Sequence, residues 1–102
     1  VWRANYKPEH VRHLIEGYAA LVNSADTTRE GLRYLVELAD LDRALARLPQ
    51  DYAEVVLVHG IAGLSQEAAA EVLQKSQTWI SKRYRHALEE ITFLINGGEE
   101  PE

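Results

Sequence analysis

Cysteine is absent from this 102-residue chain, which excludes disulfides and thiolate metal sites. No apolar run approaches the length of a membrane span, and no secretory signal is visible. Its few glycines are nowhere arranged as a phosphate-binding loop. No nucleophile is spaced to meet a base, and no paired carboxylates share an apolar setting. Glu67 and Glu71 are one turn apart, as on a solvated helix face. The four histidines add little. His10 and His13 share a helix face with Glu9 and Glu16 nearby, which reads as solvated surface ahead of a metal site, and His59 and His86 need no chemistry. These absences leave no expected catalytic residue, cofactor or metal, and make a soluble cytoplasmic protein the default. Methionine is also absent and position 1 is Val, as expected of a piece of a longer protein.

The remaining pattern is helical, with nothing that argues for a strand or an internal repeat. Pro8 and Glu9 fit a first helical turn, and Val11, Leu14, Ile15, Tyr18, Leu21 and Val22 form one apolar stripe ending near Asn23. Thr27 and Glu30 have capping-box spacing, and Leu32, Leu35, Val36 and Ala39 continue a second stripe. Asp40 can cap a further helix bearing Leu41, Leu45 and Leu48, or the two segments run together. Pro49 ends that stretch. Asp51 to His59 predicts a helix with Tyr52, Val55, Val56 and Val58 apolar, closed by Gly60 in a left-handed cap. Gly60 to Gly63 read as a connector. The expected fold is an all-α bundle of about five helices in one domain over residues 1–96, followed by a frayed acidic tail over 97–102.

Residues 64–88 carry the functional signal. Ser65 is a good N-cap, with Glu67 in the first turn, where the helix dipole favours negative charge. Ala69, Val72 and Leu73 supply a short apolar face that ends near Leu73. Ser76 then caps a second helix in which Ile80, Tyr84, Ala87, Leu88 and Ile91 recur at helical spacing. With Leu64, Ala69 and Leu73, the residues Ile80, Tyr84 and Leu88 are the expected core of this unit. Gln77, Thr78, Ser81, Lys82 and Arg85 are left facing outward. The chain as a whole has a formal charge of −5, yet Lys75, Lys82, Arg83 and Arg85 fall in a stretch from Val72 to Leu88 with no acidic residue. An acidic body with one basic helix suits a protein that touches DNA along one edge. The first turns of such a helix reach deepest into the major groove, so Gln77, Thr78, Ser81 and Lys82 are expected at base edges. Lys75, Arg83 and Arg85 are expected at phosphates. Trp79 has two readings: a ring lying partly over the core, or an indole that donates to a phosphate or packs on a thymine methyl.

From Asp40 to about Ile95 these residues resemble region four of bacterial sigma factors, the domain that reads the upstream promoter element. LDRALARLP (Leu41 to Pro49) is similar to the family's opening helix, and Val55 to Val58 takes the place of its second. Leu64, Ser65, Glu67, Ala70, Glu71 and Leu73 fall on its first helix-turn-helix pattern; Ser76, Ile80, Arg83 and Ala87 fall on its recognition-helix pattern. The chain departs at Gln74, where Gly is common in the turn and a positive φ would cost about 1 kcal/mol. It departs also at Lys75 for an apolar residue, Ala69 for a larger aliphatic and Trp79 for a small Thr.

The resemblance implies double-stranded DNA and RNA polymerase as partners, the latter held through Leu41 to His59, and either a sigma-factor fragment or a stand-alone sigma-like regulator of bacterial or phage origin. Two alternatives stand beside it. One is a protein-interaction module or homodimer in which the Pro8–Val22 stripe docks on a partner or a second copy. The other is a phage DNA-packaging adaptor.

Overall fold

The computed structural model describes residues 6–24 and 35–97, and the side chains of 6–20 and 38–97. Thr27, Glu30, Leu32 and the tail beyond Gly97 lie outside the described residues, as do the side chains of Leu21, Val22, Leu35 and Val36. Every regular element described is helical: α1 (Pro8–Ser24), α2 (Leu35–Ala46), α3 (Gln50–Val55) running directly into a π-helical segment (Val56–Ile61), α4 (Gln66–Leu73) and α5 (Gln77–Ile95). None of these helices is long and apolar enough to cross a membrane.

Pro8 opens α1, where its missing N–H is no loss, and the Val11 N–H closes the first turn on the Lys7 carbonyl at 2.9 Å. Val11, Leu14 and Ile15 are buried in a large cluster with Leu38, Leu41, Ala44, Val56, Leu88 and Ile91, which come from α2, the π segment and the C-terminal half of α5. Val11, Leu14 and Ile15 of the α1 stripe therefore find their partners within the same chain. The segment before α1 is tied to the far end of α5. The Tyr6 N–H donates to Asn96 Oδ1 and the Asn96 amide donates to the Tyr6 carbonyl, both at 2.8 Å.

The two segments around Asp40 run together as α2, in which Asp40 pairs with Arg43 on the next turn instead of capping a new helix. Leu38, Leu41 and Ala44 form its buried stripe, and Ala39, expected in the apolar row, is exposed.

Gly60 corrects another expectation. The helix does not stop there but widens into the π segment, whose last turn is closed by Ala62 N–H to the Leu57 carbonyl at 2.8 Å. The left-handed turn falls instead on Gly63, with φ of 77°. Gly60 serves close approach: a Cβ there would stand 3.1 Å from both Ile15 Cγ2 and Tyr84 Oη.

A second, smaller cluster joins Val55, Ala69, Ala70 and Ile80, flanked by half-buried Val58, Leu64, Leu73, Trp79 and Tyr84. Ala70 takes the inward place expected of Val72, which is 60% exposed. Two adjacent alanines face inward because α4 lies close across α5, and a β-branched side chain would hold the helices apart.

Candidate nucleic-acid interface

Two serines set the register of the helix-turn-helix. Ser65 Oγ accepts from the Ala68 N–H at 3.1 Å and Ser76 Oγ accepts from the Trp79 N–H at 3.0 Å. Each satisfies one of the donors that a helix N-terminus leaves open. Between them α4 ends in a Schellman-type turn. Lys75 N–H reaches back to the Ala70 carbonyl at 2.9 Å and Gln74 N–H to Glu71 at 3.3 Å. Gln74 occupies the left-handed region, with φ 57° and ψ 48°, where most families of turns use Gly. The chain thus adopts the strained geometry without the residue that relieves it.

Beyond Ser76, α5 divides by face. Ile80 is fully buried in the smaller cluster and Leu88 lies in the larger, while half-buried Tyr84 touches both. Gln77, Thr78, Ser81, Lys82 and Arg85 are all exposed. Lys82 and Arg85 have no hydrogen-bond or ion-pair partner among the described residues, so their charge is free for an external ligand.

The two flanks of α5 differ. On one, Ser76, Thr78, Trp79, Lys82, Arg83 and His86 line a shallow groove of about 340 Å³. Trp79 is half-buried, with its side chain packed against the smaller cluster. Its faces carry cations: Lys75 Nζ lies 5.1 Å and Arg83 Cζ 5.0 Å from the ring centroid. Arg83, expected at a phosphate, is drawn inward. Its Nη1 pairs with Asp51 Oδ2 at 3.0 Å, and its guanidinium lies 5.4 Å from the Tyr52 ring. This ion pair and ring contact join α5 to α3.

The opposite flank is a polar cleft of about 410 Å³ lined by Arg12, Glu16, His59, Gly60, Gln66, Ser81 and Tyr84. His59 Nδ1 lies 2.7 Å from the Leu64 carbonyl. A carbonyl can only accept, so Nδ1 carries the proton. The imidazole edge packs on the Tyr84 ring with centroids 4.8 Å apart. Burial holds the Tyr84 phenol above its ordinary pKa, opposed by the positive charge of Arg12 and aided by Glu16. Among the described residues no three acidic or histidine side chains gather as a metal site. His13 instead meets Glu16 at 3.3 Å.

Sequence reasoning did not find Arg12, Asp51, Tyr52 or Gln66 at this surface. Each reaches it from another helix, and a one-dimensional periodicity carries no signal for such cross-helix pairs.

The comparisons with known proteins accord with this geometry. Residues 38–91 of the 102 match the family model described as sigma-70, region 4. No curated protein and no solved structure matches the chain. The match begins within α2, takes in α3, the π segment and both helices of the capped turn, and stops within α5. More than half the chain is covered, and the chain belongs to the sigma-70 region 4 family of helix-turn-helix DNA-binding domains.

Proposed function

We propose that this protein is a sequence-specific, sigma-like transcription factor that lays α5 in the major groove of promoter DNA. The observation that carries this reading is the exposed row Gln77, Thr78, Ser81, Lys82 and Arg85 on a capped helix whose opposite face is buried. An α-helix with its side chains fills a groove about 12 Å wide, so an outward row of this kind meets base edges near its N-terminus. Gln77, Thr78, Ser81 and Lys82 supply amide, hydroxyl and ammonium groups that match base-edge acceptors and donors. Arg85, further along, and Lys75, in the turn, hold phosphates. Trp79 orients the Lys75 ammonium, and Arg83 braces the helix.

RNA polymerase is the second partner. An open apolar groove of about 440 Å³ runs between α1, α2, α3 and the π segment, lined by Tyr18, Leu45, Ala46, Ala53, Val56 and Leu57 with Asp42 at its rim. Leu57 is 57% exposed there, on the stretch that the family resemblance assigns to polymerase contact. Selection of bound DNA from a random pool tests the DNA reading. One enriched motif is expected, whereas recovery of unenriched DNA would contradict sequence-specific recognition.

A further inference from the structure

We infer that α1, which lies outside the family match, is part of the DNA interface, and that Arg12 holds the phosphate strand on the Ser81 flank of α5. This rests on the DNA reading above and extends it to a helix that the family does not account for.

The inference starts from the asymmetry of the two flanks. A helix in the major groove is bracketed by two phosphate strands, one on each side. The Trp79 flank carries Lys75 and Arg83. On the Ser81 flank, the cleft formed by α1, the π segment, α4 and α5 contains a single cation, and it is Arg12. Its guanidinium is exposed and has no ion-pair or hydrogen-bond partner among the described residues. It faces the same space as Ser81, on the outward row, and Gln66, the first residue of α4. A phosphate entering this cleft would meet a free guanidinium, an amide and a hydroxyl together. The opposing charge is Glu16, which shares the cleft and is held by His13 at 3.3 Å.

The position of Arg12 is fixed by the core. Val11 and Ile15, on the same helix, are buried at 0% and 1% exposure against the body of the protein. Gly60 lets Ile15 and Tyr84 come together beside it. The backbone from which Arg12 projects is therefore held against the body that also carries α5, as a register-setting phosphate contact requires.

The test measures DNA affinity across a salt series for Arg12→Ala, Glu16→Gln and Arg85→Ala, on selected and on random duplexes. Arg12→Ala is expected to weaken both duplexes alike, by about fivefold, and to flatten the log–log salt slope by about 0.9. Glu16→Gln is expected to strengthen both by about twofold, a gain that partial unfolding cannot produce. Wild-type affinity and slope in Arg12→Ala, with Arg85→Ala impaired, would overturn the role of α1 and leave the DNA reading intact. No change in any of the three variants would overturn both.

Discussion

The two buried clusters of this small protein are built on opposite principles. The larger gathers long aliphatic side chains from α1, α2, the π segment and the C-terminal half of α5. The smaller, beneath the proposed DNA surface, holds Val55, Ala69, Ala70 and Ile80. In the first, neighbours of a deleted side chain have rotamers with which to fill the gap. In the second, among the described residues, Val55 and Ile80 are fully buried beside two alanines that have no rotamers to offer, and the larger neighbours Leu64, Leu73, Trp79 and Tyr84 are only half-buried around them. The end of the molecule beneath the proposed DNA surface thus depends on close backbone approach around Val55 and Ile80. The other end depends on bulk and redundancy.

That contrast can be broken by experiment. Truncating Ile80 to Ala should cost about 3–5 kcal/mol, while Ile15→Ala in the larger cluster should cost about 2–3 kcal/mol, because the loss depends on how far a site can collapse. Equal losses in chemical denaturation would erase the distinction, and a loss below about 0.5 kcal/mol at Ile80 would mean that α5 faces another way. Gly60→Ala probes the seam between the clusters. Overpacking against Ile15 and Tyr84 costs about 1–3 kcal/mol, offset by about 1 kcal/mol of helix propensity. A lower denaturation midpoint with a net loss of about 1 kcal/mol is expected, and an unchanged midpoint would show that Ile15 yields freely. Gln74→Gly has the smallest effect and the opposite sign. Relief of the left-handed backbone, less the extra freedom that Gly has when unfolded, should raise stability by about 0.5–1 kcal/mol. A rise in melting temperature checks it, and a fall would mean that the Gln74 side chain contributes more than its backbone strain takes away.

Features set by near neighbours were legible in the sequence. Ser65 and Ser76 act on donors three residues away, and the spacing of Ile80, Leu88 and Ile91 describes a buried row that stays on one helix. Features set by another helix were not. A glycine after an apolar run looks like a helix terminus, yet Gly60 answers to Ile15 and Tyr84. Val72 fits the helical spacing as well as Ala70 does, and only the closeness of α5 selects the smaller residue. Arg83 belongs to a basic stretch, but Asp51 and Tyr52 on α3 turn its guanidinium inward. The candidate site was legible as an exposed row with the cations of its Trp79 flank, and blank on the opposite flank where Arg12 of α1 lines the cleft. The partner of the α1 stripe was likewise open, because amphipathicity says that a face must be covered without saying by what.

The most direct measurement of the claim that α5 reads bases compares Lys82→Ala with Arg85→Ala on the selected motif, on its single-base variants and on random DNA. Both remove one free positive charge from the same exposed row, so charge loss cancels and the contrast isolates base contact. Lys82→Ala should lose about 1–3 kcal/mol on the motif and relax preference at one or two base pairs. Arg85→Ala should weaken all sequences alike and shrink the salt slope by about one unit. Equal losses for both variants on the motif and on random DNA would contradict the account, because the helix would then bind by charge alone.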